Sequence, residues 1–229
     1  MHSTQGIILK IHNFREHDER VILYTKDAGK LSVVAKGAKK IEAKLRGNLD
    51  LFNLVDVSFV PGVNFNILTS VDLTKKFLSI GSNVHTYKSA LSMSYITDNI
   101  FDENAKDEEF FDMLKYSMEK LNEYGKESEY LASLYSWLLL KKFQMKILET
   151  EGYEDNLFTG HARANLGEEL AGKFKLSGNS LLLMDMLRGK TVKSVTLSKN
   201  DMRNIENIFT RLFAYIFSCK LNPWMPIMN

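Results

Sequence analysis

The sequence of 229 residues predicts an α+β protein of two domains: residues 1–80 are rich in strands and residues 81–229 are α-helical. Three observations support this prediction. Short runs of β-branched and aromatic residues, separated by Gly and Pro turns, fill the first 80 residues. Beyond them, apolar residues recur at helical spacing. No proline lies between Pro61 and Pro223, so nothing forces a helix to break in that span.

The first domain is predicted to hold five strands. Asp27-Ala28-Gly29-Lys30 is typical of the turn of a β-hairpin, and Pro61-Gly62 is a strong turn signal between a second pair. Five short strands favour a small closed barrel, because closure removes exposed sheet edges, although an open antiparallel sheet also fits. The predicted strands cover residues 4–14, 20–25, 31–35, 51–60 and 65–73.

The second domain shows three apolar faces with a period near 3.6 residues, which predicts amphipathic helices. Between Gly152 and Gly178 this pattern lapses into a glycine-containing stretch of mixed charge, for which we predict a loop or irregular hairpin. The three faces are Phe110, Leu114, Met118 and Leu121; Leu131, Leu134, Tyr135, Leu138 and Met145; and Ile205, Ile208, Phe209, Leu212, Phe213 and Ile216.

The formal net charge of +2 is an average over unlike segments. Residues 1–80 carry 12 Lys/Arg against 8 Asp/Glu, a net charge of +4. Residues 81–97 add one lysine, and residues 98–130 hold 4 Lys against 11 Asp/Glu, a net charge of −7. Residues 131–229 hold 13 basic and 9 acidic side chains, again +4. Two basic regions therefore flank an acidic one.

The sequence argues against an enzyme. The five histidines show no metal-ligand spacing, and the phosphate-loop, nucleophile-elbow and calcium-loop motifs are all missing. The carboxylates between Asp102 and Asp112 favour a solvated helix face over a catalytic cluster. A single cysteine, Cys219, excludes an internal disulfide and a zinc site built on several cysteines. We therefore expect no cofactor and no catalytic residue.

The N-terminus lacks a basic segment followed by an apolar run, and no stretch is long and apolar enough for a spanning helix. We therefore expect no signal peptide, no membrane contact and a reducing cytoplasmic location.

The basic first domain suggests nucleic-acid binding, because Lys and Arg neutralise phosphates while exposed aromatic rings stack on bases. Phe14 or Tyr24 would lie near the bound strand. A merely soluble lysine-rich loop, with Phe14 and Tyr24 in the core, fits about as well on charge alone. The candidate DNA-binding residues, which would line one groove, are Lys10, Arg15, Arg20, Lys36, Lys39, Lys40, Lys44 and Arg46.

The order of residues in three segments adds to this hypothesis. They are Gly6-Ile7-Ile8-Leu9-Lys10, His17 to Thr25, and Gly29 to Lys40, followed by Leu49-Asp50-Leu51-Phe52. Together they closely resemble the start of the bacterial recombination mediators of the RecO family. Further along, Gly152-Tyr153 with Asn156-Leu157 resembles the segment after that family's long central helix.

The resemblance implies an N-terminal OB-type (oligonucleotide-binding) barrel followed by an α-helical domain. It implies binding of single- and double-stranded DNA and annealing of complementary strands. The implied partners are RecR and the single-stranded-DNA-binding protein with its acidic C-terminal tail, and indirectly RecA, which is loaded onto the coated DNA. The implied location is the cytoplasm, in association with the nucleoid.

One feature departs from many members of that family, which bind zinc through four cysteines after the Gly-Tyr segment. The corresponding stretch, residues 158–165, contains no cysteine. The resemblance therefore implies a zinc-free member. We expect apolar packing to hold the 152–178 loop in place of zinc, through Tyr153, Leu157, Phe158, Leu166 and Phe174.

A second set of cations, Lys141, Lys142 and Lys146, lies on the predicted central helix among apolar residues. It is a candidate for a second DNA-binding surface in annealing, or instead for receiving the acidic tail of the single-stranded-DNA-binding protein. A solvated helix face is the further alternative. Two other functions stay open. A protein-interaction adaptor would make only incidental DNA contact, and a nuclease would need a carboxylate cluster that the β domain lacks.

Overall fold

A computed structural model describes residues 1–39, 47–153, 178–192, 194 and 196–224. The chain divides into two compact units, Met1–Glu127 and Ser128–Asn229. The first unit holds strands β1 (His2–Asn13), β2 (Glu19–Thr25), β3 (Gly29–Ala35), β4 (Leu54–Val60) and β5 (Asn66–Lys75), a 3₁₀ turn (Leu78–Ile80), and helices α1 (Val84–Ile100) and α2 (Glu108–Tyr124). The second holds α3 (Glu129–Thr150), α4 (Gly178–Leu187) and α5 (Lys199–Ile216).

The five strands close into a barrel in the order β1-β2-β3-β5-β4. All neighbouring pairs are antiparallel except β3 and β5, which run parallel through Val33↔Asn66 and Val34↔Ile67. Strand β1 closes the barrel by pairing with β4 over residues 2–7 and with β2 over residues 6–13. A bulge between Ile8 and Lys10 lets one strand serve both partners, because an extra residue bends the strand. The predicted OB-type barrel and the helices after it are confirmed, and the open sheet is excluded.

Alternating apolar residues fill the barrel, as the two-residue period of a strand requires. The turn between β2 and β3 depends on Gly29, whose φ of +63° favours glycine. A Cβ at that position would also collide with the carbonyl of Ala105. The inward-facing residues include Ile8, Val21, Leu23, Leu31, Val33, Val55, Val57, Leu68 and Val71.

Helices α1 and α2 pack with the barrel in the first unit. Asn83 and Asp107 cap their N-termini by accepting hydrogen bonds from backbone N–H groups that the helix itself leaves unpaired. The predicted face of α2 is buried at Phe110, Leu114 and Met118. The change from strand to helix falls near residue 80 as expected, whereas the compact units divide between residues 127 and 128. The domain boundary at residue 80 therefore stays a prediction.

The second unit is helical throughout its described elements. Helix α5 begins at a capping box in which Ser198 and Asp201 satisfy each other's backbone N–H groups. Its predicted apolar face, from Ile205 to Phe213, is buried. Residues 154–177, most of the predicted loop at 152–178, lie outside the described residues. Of the five residues proposed to pack in that loop, Tyr153 alone is among the described ones. Across the described ranges, every helix is too short or too polar to cross a bilayer.

Candidate nucleic-acid interface

One end of the barrel gathers the loop between β1 and β2, the loop between β4 and β5, and the chain that leaves β3. The pairings Asn13↔Glu19, Glu19↔Ala35 and Val60↔Ile67 bring these segments to the same end. We call this surface the loop end and define it by residues 14–18, 36–39 and 61–65. In OB-type barrels, the loops between the first two and the last two strands are those that contact oligonucleotides.

An aromatic pair joins two of these loops. The rings of Phe14 and Phe65 meet edge to face, with centroids 5.0 Å apart and an interplanar angle of 76°. The guanidinium of Arg15 lies 5.1 Å from the centroid of Phe14, a cation–π contact. Cationic and aromatic groups therefore share one small surface.

The chain that leaves β3 is tied to the first loop. The Asp18 carboxylate accepts a hydrogen bond from the Gly37 N–H at 2.8 Å, and the Lys39 ammonium donates to the Arg15 carbonyl at 2.8 Å. Lys36 and Arg15 extend into solvent. Over the described ranges, neither of these two side chains nor that of Lys39 forms an ion pair. These two hydrogen bonds hold the backbone segments that carry the exposed charges of Arg15 and Lys36.

The other two described cations of the predicted groove, Lys10 and Arg20, lie beside carboxylates. Lys10 and Arg20 project from the outer face of β1 and β2, where Lys10 lies 3.5 Å from an Asp98 carboxylate oxygen and Arg20 lies 3.6 Å from one of Glu103. Lys30, which was not predicted, lies on the same face and donates to the Asp98 carbonyl at 2.6 Å. That bond satisfies a carbonyl in the last turn of α1.

The described members of the predicted set are thus divided between two surfaces. Arg15, Lys36 and Lys39 lie at the loop end, whereas Lys10 and Arg20 lie beside carboxylates. Lys40, Lys44 and Arg46 lie outside the described residues. Contact with DNA stays a prediction for every member.

Tyr24 does not offer a ring to a base. It is fully buried, lies 5.0 Å from both Phe101 and Phe110 between ring centroids, and donates to the Ala105 carbonyl at 3.3 Å. Burial, reinforced by the charge of Asp107, raises the pKa of its hydroxyl. The suggestion that Tyr24 lies beside a bound strand is corrected, because helix packing covers the outer face of β2 at this point.

Sequence reasoning missed Phe65 and Val63, which lie on the β4–β5 loop and are exposed. Both residues follow the Pro61-Gly62 turn and, with Asn64 between them, continue the alternation expected of a strand. That alternation predicts a buried face, so the sequence carried no clue to their exposure.

The second set of cations needs one correction. Lys141 is fully buried: its ammonium lies 2.7 Å from a Glu206 carboxylate oxygen and donates to the Gln144 side-chain oxygen at 2.9 Å. Burial lowers its pKa, and the Glu206 charge opposes that shift. Lys141 is thus enclosed between α3 and α5 and unavailable to a partner. Lys142 and Lys146 are exposed.

Within the described ranges, no group of three His, Cys, Asp or Glu side chains is arranged to hold a metal ion. Cys219 is buried, which raises the pKa of its thiol to about 11. The stretch 158–165, for which the sequence resemblance implies a lost zinc site, lies outside the described residues, so its lack of metal stays a prediction from the sequence.

Comparison with known proteins relates this chain to a protein family. Residues 1–77 match the family described as "Recombination protein O N terminal". The chain is similar to proteins named "DNA repair protein RecO". That of Symbiobacterium thermophilum is 23% identical over 69% of this chain and 59% of its own length. That of Clostridium kluyveri is 27% identical over 66% and 55%. That of Alkaliphilus metalliredigens is 20% identical over 97% and 86%. The alignments with the first two span less than two thirds of those relatives.

Proposed function

We propose that this chain, whose residues 1–77 match the N-terminal family of recombination protein O, is a RecO-family protein that acts in DNA repair and recombination as a non-enzymatic mediator and binds single- and double-stranded DNA. The observation that carries the proposal is the loop end of the barrel. Arg15 and Lys36 are exposed there beside an aromatic pair, on the loops that OB-type barrels use for oligonucleotides. A polyanion that also offers aromatic faces is the ligand that fits this combination.

Salt dependence tests the proposal. The double variant Arg15→Ala/Lys36→Ala is compared with Lys75→Ala/Lys76→Ala, which removes the same charge at the opposite end of the barrel. Each lost phosphate contact should flatten the plot of log affinity against log salt by about 0.9 for duplex and about 0.7 for a single strand. Lys39 is left intact because its ammonium supports the Arg15 carbonyl. Equal slopes in both double variants would exclude the loop end as the DNA site.

The proposal extends to annealing of complementary strands. Two strands repel each other through their phosphates, and a protein that offers cations to both reduces the repulsion without covalent chemistry. Annealing of complementary oligonucleotides by the purified protein, without nucleotide or divalent ion, is the expected activity. Divalent-ion-dependent cleavage would instead support a nuclease.

The proposed protein partners are RecR and the single-stranded-DNA-binding protein, with RecA loaded indirectly. Support for the second partner comes from α3, where Lys142 and Lys146 lie one turn apart beside exposed Tyr135 and half-buried Leu138. This face suits a peptide that is both acidic and apolar. Lys142→Glu/Lys146→Glu should abolish binding of the acidic tail peptide, while Lys190→Glu should not.

The same face of α3 supports the second candidate function, an adaptor that makes only incidental DNA contact. A variant that no longer binds DNA separates the two. At a salt concentration at which Arg15→Ala/Lys36→Ala no longer binds DNA, RecA loading that survives would favour the adaptor, and loss of loading would favour the mediator. The proposed location for either function is the cytoplasm, at the nucleoid.

A further inference from the structure

The β4–β5 loop places apolar side chains in water. Val63 is fully exposed and Phe65 is 38% exposed, although apolar surface is normally removed from solvent. In the described part of the chain, the ring contact of Phe65 is with Phe14. Because an edge-to-face pair covers at most one face of either ring, Phe65 keeps at least one face clear of Phe14.

The backbone at Phe65 is held in place on both sides. A Cβ at Gly62 would collide with the carbonyl oxygen of Phe65, so the turn is tight enough to need glycine. Strand β5 begins at the next residue, Asn66, which pairs with Val33 of β3. Phe65 is therefore held between a tight turn and a paired strand, which limits the entropy lost when a ligand contacts it.

The charges around the ring select the ligand. Arg15 contacts Phe14 by a cation–π interaction, and Lys36 is exposed on the neighbouring segment. An exposed aromatic ring that shares the loop end with cations suits a base that carries its own phosphates, whereas an apolar peptide would leave the cations without partners.

We infer that Phe65, supported by Phe14, is a stacking platform for an unpaired base and carries the preference for single-stranded over double-stranded DNA at the loop end. The inference rests on the proposed function. Bases within a duplex are already stacked on each other and offer no face to the ring, whereas the phosphates of both forms reach Arg15 and Lys36. The cations thus bind both forms, and the ring adds affinity for the single strand alone.

The test compares Phe65→Ala, Phe65→Trp and the unchanged protein on a thymine oligonucleotide and on a duplex of equal length. Phe65→Ala should weaken single-strand binding about 5- to 150-fold, the range expected for one base stacked on one ring, and leave duplex binding unchanged. Phe65→Trp should retain the affinity, and its added indole fluorescence should be quenched by the oligonucleotide. Tyr116→Ala is the matched control, because Tyr116 is exposed on α2 beside Lys120.

Each outcome decides the question. Two results would overturn the platform and leave the proposed function standing. One is an equal loss of affinity for both DNA forms in Phe65→Ala. The other is an unchanged single-strand affinity in Phe65→Ala when its thermal midpoint is also unchanged. If Phe65→Ala is destabilised, Phe65→Trp decides, and fluorescence unaffected by the oligonucleotide would overturn it. An unchanged protein that binds neither DNA form would instead overturn the proposed function itself.

Discussion

At the scale of single residues, burial sets the chemistry of the ionisable groups. Lys141 lies on the same helix as the exposed Lys146, yet its side chain is fully buried against Glu206. The Glu206 carboxylate also accepts a hydrogen bond from the Trp137 indole at 2.9 Å. The Lys141 ammonium lies 5.2 Å from the centroid of the Phe209 ring. The Lys141 ammonium and the Glu206 carboxylate are each other's charge partner in a buried site, so removal of either one leaves the other charge uncompensated.

Lys141→Met should therefore destabilise the protein by about 3–5 kcal/mol, the usual cost of breaking a buried ion pair from one side. Lys141→Met/Glu206→Leu should recover part of the loss, because no charge then remains buried. Urea denaturation followed by tryptophan fluorescence measures both, with Lys142→Met as the exposed control. A loss as small as that in the control would show that the pair adds nothing.

Cys219 gives a prediction that depends on pH. Burial raises its thiol pKa from 9.0 to about 11, so the folded thiol ionises later than the unfolded one. Deprotonation then favours the unfolded chain, and this residue's contribution to stability is lost as the pH rises from about 9 towards 11.

Iodoacetamide labelling of the single cysteine measures this directly. The native protein should react slowly at pH 9 and faster near pH 11, while the chain in urea should already react at pH 9. Cys219→Ala should lose less stability over that pH range than the unchanged protein. Rapid labelling of the native protein at neutral pH would contradict burial of the thiol.

At the scale of elements, the turn between β2 and β3 determines how the barrel meets its neighbours. The Thr25 hydroxyl donates to the Gly29 carbonyl at 2.8 Å, and Gly29 itself approaches the backbone at Ala105. One glycine therefore serves both the hairpin and its contact with the segment between α1 and α2.

Gly29→Ala should destabilise the protein by at least about 1–2 kcal/mol, the cost of a left-handed conformation for a residue with a Cβ, with the collision at Ala105 added to it. Gly47→Ala is the matched control, since a Cβ there meets no atom within 4 Å. Thermal melts of both variants give the comparison. Equal midpoints would mean that the turn relaxes without cost.

At the scale of the whole molecule, acidic and basic side chains of the first unit face each other. Asp98 and Glu103, from the acidic segment of the sequence, lie beside Lys10, Arg20 and Lys30 of the barrel. The acidic segment therefore neutralises one face of the basic domain, and it leaves the cations of the loop end without carboxylate partners among the described residues.

Glu103→Gln should strengthen DNA binding and steepen the salt dependence by about one unit, because Arg20 then becomes available to a phosphate. Glu119→Gln, which frees Lys75 near the far end of the barrel, controls for the change in net charge. The two variants should differ in affinity and in salt dependence, for single-stranded and for double-stranded DNA. Identical binding would place Arg20 outside the reach of the nucleic acid.

The five strands and the helices after them could be predicted from the chain alone, because strand alternation, turn residues and helical periodicity are local properties. The resemblance to the RecO family was likewise visible in the order of residues. The sequence also identified Arg15, Lys36 and Lys39 among its candidates, since runs of lysine are visible without a fold. Packing between distant segments decided which of the described cations lack a carboxylate partner among the described residues. Asp98 lies 88 residues from Lys10 in the chain but 3.5 Å from it in space. Burial of Tyr24 and Lys141, and exposure of Phe65, were decided in the same way, because solvent access depends on packing between distant segments.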